Sequence, residues 1–248
     1  MHWRPLIPNY NLGEIPLMTI PQKHLIDVKK LSQQLCQHPI QGELAYAGVN
    51  NITGQRLWGY HPKATNIFLL THETAKALCQ IQQKANAQGL GIFIYDAYRP
   101  QKAVEFFWHW AQSEIAPDSY ETACQQYYFP TYTKKQLFEE GYINRHSNHC
   151  FGHTVDLTLV DFKTKIPLDM GTDFDVMDQR SHIDYGDRPN NSLTTTQKHN
   201  RDILFELMQN GGFEGYFAEW WHYSYQLREV DEPMDIDINP DLEGLNVV

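Results

Sequence analysis

Hydrophobic positions recur along this chain with two different periods, and the alternation between the two sets out the expected elements. Leu25, Val28, Leu31 and Leu35 lie three and four apart, the spacing that stacks side chains on one helix face, so a helix is expected over roughly 23–38. Thr71 can cap a second helix running to about residue 88, with Ala75, Leu78, Gln82 and Ala85 on related faces and Gly89 as its stop. The apolar run 91–95 reads as a short strand, and the turn Asp96-Ala97-Tyr98-Arg99 then leads to Pro100, a favoured first position for a helix through Trp110. Thr133 with Gln136 three residues on forms a capping box for a short helix that Gly141 ends. In 154–160, Val155, Leu157 and Leu159 alternate with Thr154, Asp156 and Thr158, the period of a strand, which turns Asp156 away from the apolar side. A helix over 195–209, stopped by Gly211-Gly212, and a strand over 216–225 complete the pattern.

Helices and strands mix here without a strict strand-helix-strand rhythm. That favours an α+β fold, a single domain with a central antiparallel sheet and helices packed to one side. With 248 residues, 42% hydrophobic and 13% aromatic, the chain can bury one sizeable core. The expected organisation is an extended arm over 1–21, carrying Pro5, Pro8, Pro16 and Pro21, then a folded domain over 22–230 and an acidic tail over 231–248. Pro233 and Pro240 interrupt that tail, which is expected to lie loose and to hold no catalytic part.

A formal net charge of -10 argues against nucleic acid, which needs a basic footprint, and against an anionic membrane surface. No run approaches the roughly 18 to 20 apolar residues of a membrane span. The start, Met1-His2-Trp3-Arg4-Pro5, lacks the charged and apolar regions of a secretion signal, so the expectation is a soluble cytoplasmic protein. Cys36, Cys79, Cys124 and Cys150 form no C-x-x-C pair, which leaves buried free thiols as the expected state.

The chemistry concentrates in two places. Ser147-Asn148-His149 runs through Gly152 to Asp156, and Glu219-Trp220-Trp221-His222 follows much later. Two imidazoles and a carboxylate supply three of the four ligands of an open zinc site, and a second carboxylate beside the last histidine can act as a base on water. Gly152 allows the tight turn that would bring a loop imidazole and a strand carboxylate to one point. Residues three apart on an ideal strand face opposite ways, so Glu219 and His222 can share a site only if the backbone is distorted at Trp220-Trp221. The two tryptophans are expected to pack around the site and exclude water. Arg99, at a strand-to-helix turn, can hold a carboxylate or an oxyanion, or form a structural salt bridge with Asp96.

These pieces occur together, in this order, in the D-alanyl-D-alanine dipeptidases, zinc enzymes linked to glycopeptide resistance and to recycling of D-alanine dipeptide. The chain resembles that family from about residue 44 to 231. The matching stretches are Tyr46-Ala47 through Asn51-Ile52-Thr53-Gly54, the Asp96 to Pro100 turn, Ser147-Asn148-His149 through Gly152 to Asp156-Leu157-Thr158-Leu159, Met170-Gly171-Thr172 through Phe174-Asp175, and Glu219-Trp220-Trp221-His222-Tyr223. The resemblance implies one zinc ion per chain held by His149, Asp156 and His222, with Glu219 as general base and acid and Arg99 stabilising the oxyanion. Ser147, Tyr46 and Asp175 fall where the family binds the two ends of its dipeptide. It also implies a fold shared with some D,D-carboxypeptidases and with the hedgehog signalling domain. The partner so implied is a small D,D-dipeptide, and a homo-oligomer is compatible with this reading.

Two positions depart from the family pattern: Phe151 stands where a basic residue is common, and His153 where a small one is. Either could alter access to the site. Three other functions fit parts of the same residue set. A D,D-carboxypeptidase on longer muropeptides has no free amine near the cut, and so no use for an acidic partner such as Asp175. A non-haem iron oxygenase shares the two-histidine, one-carboxylate set but leaves Glu219 without a task. A non-catalytic zinc module would need neither Glu219 nor Arg99.

Overall fold

The computed structural model describes residues 25–225 and 232–241; the expected arm over 1–21 lies outside them. The described residues open with β1 (Leu25–Asp27) and α1 (Val28–Leu35), where a single helix was expected. Two facts explain the difference. Leu25, Ile26 and Asp27 pair antiparallel with Thr71, Leu70 and Leu69, and the Asp27 side chain accepts the Lys29 N–H, which starts the helix there. After β2 (Gln41–Gly42) and β3 (Leu69–Thr71) come α2 (His72–Asn86), β4 (Leu90–Asp96) and α3 (Gln101–Gln112), close to their expected bounds.

Helix α4 (Tyr120–Tyr128) has no counterpart in the hydrophobic pattern, because only Cys124 of its residues is buried. In α5 (Lys134–Glu139) both arms of the Thr133–Gln136 capping box are formed. Next come β5 (Thr154–Asp161) and α6 (Thr195–Gln209), which starts with a second capping box from Thr194 and Gln197. The expected strand over 216–225 is instead a hairpin: β6 (Phe213–Gly215) and β7 (His222–Tyr225) pair antiparallel, and residues 216–221 form the turn between them. An aromatic-rich stretch with two buried tryptophans has the composition of a strand, so the turn was hidden in the pattern.

The main sheet has five strands in the order β2-β4-β5-β7-β6, and β1 with β3 forms a separate pair. All contacts in the main sheet are antiparallel except β2 with β4, which is parallel. The fold is therefore α+β, with a parallel edge strand added to the expected antiparallel sheet. β5 lies at the centre and is buried on both faces, so Thr154, Asp156 and Thr158 face protein interior rather than water. On its other face Leu157 and Leu159 pair with Ile94 and Ile92 to build the core. α2 packs against β4 and α6 against β6, and the two helices also touch each other. Among the described residues no helix is long and apolar enough to cross a membrane, and all four cysteines are free thiols.

Candidate metal centre

Three strands set the base of the site. Asp156 on β5 pairs directly with His222 on β7, and paired residues project to the same face of a sheet. On the other side of β5, a register shift between Ile94 and Asp96 places Asp96, instead of Tyr95, opposite the same Asp156. Such a bulge re-aims a side chain by one position, so Asp96, Asp156 and His222 form a row across the sheet. His149 reaches the row from a 3-10 turn (Asn148–Phe151) that the Ser147 side chain caps.

The turn closes on Gly152, whose φ of 71° lies in the left-handed region. A Cβ there would stand 2.6 Å from Leu25 Cδ2. Gly152→Ala is expected to cost about 1–3 kcal/mol of stability, the usual range for a residue held in a disfavoured backbone region. Urea unfolding at equilibrium checks this, and an unchanged midpoint would contradict it.

The ligand atoms meet. His149 Nε2 lies 3.3 Å from Asp156 Oδ2, His222 Nδ1 lies 3.1 Å from Asp156 Oδ1, and the two ring nitrogens are 3.4 Å apart. Four ligand atoms at the corners of a tetrahedron around zinc, with bonds of about 2.0–2.1 Å, are separated by about 3.3 Å. One ligand atom from each of His149, Asp156 and His222 lies within 4.8 Å of the others, so the donor set suits a single cation and these three residues could hold it. Asp156 Oδ1 is buried with no hydrogen-bond donor among the described residues, as a metal-facing oxygen would be. Burial opposes ionisation of Asp156, but the imidazoles of His149 and His222 outweigh it and hold the carboxyl well below the usual carboxylate range. His149 Nδ1 lies 2.6 Å from the Ala97 carbonyl oxygen, to which it donates, so the tautomer with a free Nε2 lone pair is favoured.

Glu219 sits in the β6–β7 turn, not on a strand, which removes the geometric conflict raised by its spacing from His222. Its Oε2 lies 3.4 Å from His222 Nδ1. Burial pushes the Glu219 carboxyl well above the usual carboxylate range; Asp156 adds to the shift and Arg99 opposes it. Arg99 donates through Nε to Asp96 Oδ2 at 2.9 Å and reaches Asp156 Oδ2 with Nη2 at 3.4 Å. The structural salt bridge to Asp96 and an approach to the site therefore coexist. Asp96 is fully buried, accepts the Tyr60 hydroxyl at 2.7 Å and lies 3.6 Å from His149 Nδ1. Sequence reasoning treated Asp96 only as a partner of Arg99 and passed over Tyr60. The signal for Asp96 was its place at the strand end three residues before Arg99; Tyr60 carried none.

A cavity of about 290 Å³ opens over the row. Tyr46, Arg99, Ser147, Asp156, Asp175, Glu219 and His222 all line it, and His149 lies just behind. Tyr46 donates its hydroxyl to Asp175 Oδ1 at 2.9 Å, and burial pushes that hydroxyl's pKa far up, so it keeps the proton it donates. Asp175 has φ 64°, is buried, and its Oδ2 has no hydrogen-bond partner among the described residues. Backbone strain and an orphaned carboxylate oxygen in one cavity-lining residue mark a group held ready for something outside the protein. Trp221 lines the cavity, and Trp220 is buried behind it with its indole N–H on Thr172 Oγ1. Phe151 and His153, the two departures, stack on each other at 5.6 Å, and neither lines the cavity.

A family model described as D-Ala-D-Ala dipeptidase, of the M15 peptidases, matches residues 27–236. The chain belongs to this family. The D-alanyl-D-alanine dipeptidase of Enterococcus faecium is 34% identical over 196 residues, spanning 79% of this chain and 89% of that protein. Its counterpart in Streptomyces coelicolor is 35% identical over 194 residues (78% and 89%), and that of Escherichia coli K12 is 34% identical over 181 residues (73% and 76%). Among solved structures, a mutant of the vancomycin-resistance D,D-pentapeptidase VanY in complex with Zn(II) matches with a TM-score of 0.36 at 16% identity, covering 65% of this chain and 75% of that one. As a member of the dipeptidase family the chain is a metallopeptidase.

Proposed function

We propose that this chain hydrolyses the D-alanyl-D-alanine dipeptide to free D-alanine, with one zinc ion held by His149, Asp156 and His222. The observation that carries the reading is a carboxyl group, Glu219, set 3.4 Å from a ligand atom of a two-histidine, one-carboxylate donor set beside a cavity. Zinc bound there would supply a Lewis acid for a carbonyl and would lower the pKa of a bound water towards about 7. Glu219 takes a proton from the attacking water and passes it to the leaving nitrogen as the C–N bond breaks. Burial raises its proton affinity, which favours taking the proton. The Arg99 guanidinium, anchored by Asp96, faces the cavity and stabilises negative charge developing on the carbonyl oxygen.

Substrate length follows from Asp175. A dipeptide carries its ammonium beside the scissile bond, and the unpartnered Asp175 Oδ2 can accept it, with Tyr46 fixing the other oxygen; burial pushes this carboxyl well above the usual carboxylate range, and an ammonium beside it would favour the ionised form. Ser147, which also lines the cavity, is proposed to take the substrate carboxylate end. A longer muropeptide has no ammonium to offer, which leaves Asp175 buried and unmatched. The test is amine release from D-Ala-D-Ala, L-Ala-L-Ala and a D-Ala-D-Ala-terminated pentapeptide by the zinc-loaded protein. Selective cleavage of the first is expected, with loss on chelation and recovery on adding zinc. Preferential cleavage of the pentapeptide would replace the dipeptidase reading with a carboxypeptidase.

A further inference from the structure

The segment after Asp231, expected to lie loose, is stitched to the domain where it is described. Met234 donates its backbone N–H to the Cys150 carbonyl at 2.9 Å and accepts the Gln101 N–H at 3.0 Å. Ile236 donates its N–H to the Tyr98 hydroxyl at 2.7 Å. Ile238 bridges in parallel to Tyr60, donates to the Gly59 carbonyl at 2.7 Å and accepts the His61 N–H at 2.8 Å, with its side chain buried. Between these points Lys102 holds the segment through Asp235 and Asp237, and its own backbone N–H donates to Asp235.

Each anchor lies one step from the site. Cys150 follows His149, Tyr98 precedes Arg99, and Tyr60 donates to the Asp96 that holds Arg99. His149 and Arg99 come from two separate loops, joined directly by the Arg99 N–H on the His149 carbonyl at 3.2 Å and by the His149 ring on the Ala97 carbonyl at 2.6 Å. Loops are the least constrained parts of a fold, whereas a productive site needs its groups held within about 0.5 Å. None of residues 232–241 lines the cavity, so the segment acts on the site only through the residues it ties together.

We propose that residues 234–238 form a positioning strap, which fixes the His149 turn and the Arg99 turn relative to one another and so sets both zinc affinity and turnover. This rests on the reading of the site as a zinc dipeptidase centre. Tyr98 and Ile238 are its positioning residues. Tyr98 is fully buried, and Tyr98→Phe keeps its ring while removing the hydroxyl that receives the Ile236 N–H. Ile238→Val loosens the far anchor with little change in volume and serves if the first variant folds poorly.

The experiment measures three things on the full chain: zinc affinity by chelator competition, kcat and KM for D-Ala-D-Ala, and hydrogen exchange of the metal-free protein. The expected result is about tenfold or greater loss of zinc affinity or kcat, the range seen when groups supporting metal ligands are removed, with KM nearly unchanged. Exchange is expected to accelerate in 97–100 and 148–152 and not in β6. Zinc affinity and kcat within twofold of wild type, with only a lower melting temperature, would overturn the strap and reduce the segment to a stabilising one. Failure of the wild-type protein to bind zinc or cleave the dipeptide would reject the reading of the site instead, and hydrogen exchange would still report on the strap.

Discussion

Glu219→Gln is expected to lower kcat on D-Ala-D-Ala by about 10²- to 10⁴-fold, the usual contribution of a general acid–base group, while leaving zinc content unchanged. The amide matches the carboxylate in shape but can neither take a proton from water nor return one to the leaving nitrogen. Glu219 stands outside the His149, Asp156 and His222 set, so the metal keeps all three of its protein ligands. Stability should hold or rise. Burial opposes the charge of Glu219 and Asp156 adds to the penalty, so an uncharged group in its place removes a buried acid from beside another. Metal analysis beside steady-state kinetics and a thermal melt checks all three statements. A Glu219→Gln protein with wild-type kcat would reject Glu219 as the proton carrier.

Arg99→Lys should reduce kcat by about 10²- to 10³-fold, the cost of losing one oxyanion-stabilising donor. Charge is conserved in this change, but geometry is not. The guanidinium uses Nε for Asp96 and turns Nη2 towards Asp156, with its plane near the rings of Tyr46 and Phe107 at 4.9 and 5.5 Å. A single ammonium cannot serve Asp96 and face the cavity at once. Asp96, fully buried, would then keep only the Tyr60 hydroxyl as a side-chain donor, so the melting temperature should fall as well. Kinetics with saturating zinc separate the two effects, and a kcat within a few-fold of wild type would show that Arg99 serves structure alone.

How much could be read in advance differed from element to element. The capping box at Thr133 and the alternation around Asp156 are local signals, formed by residues within one turn or one strand, and both appear as expected. The run 216–225 misled because strand-forming aromatics bury equally well in a turn when tertiary packing surrounds them. Helix α4 escaped notice because it buries little, and the short edge strand β2 because two residues carry no period.

The order of residues along the chain sets the chemistry available. It supplied two imidazoles, three acidic groups and an arginine at family spacings, a glycine where a left-handed turn is needed, and an acidic balance unsuited to nucleic acid. How these groups meet depends on long-range packing. The bulge that turns Asp96 towards Asp156, the hairpin turn that lifts Glu219 to His222, the Tyr60 hydroxyl behind Asp96 and the segment over Cys150 and Tyr98 all join residues distant in the chain. Periodicity reports a residue's own burial and face, whereas a register shift or a long-range hydrogen bond depends on which partner packing delivers, and no local pattern encodes that.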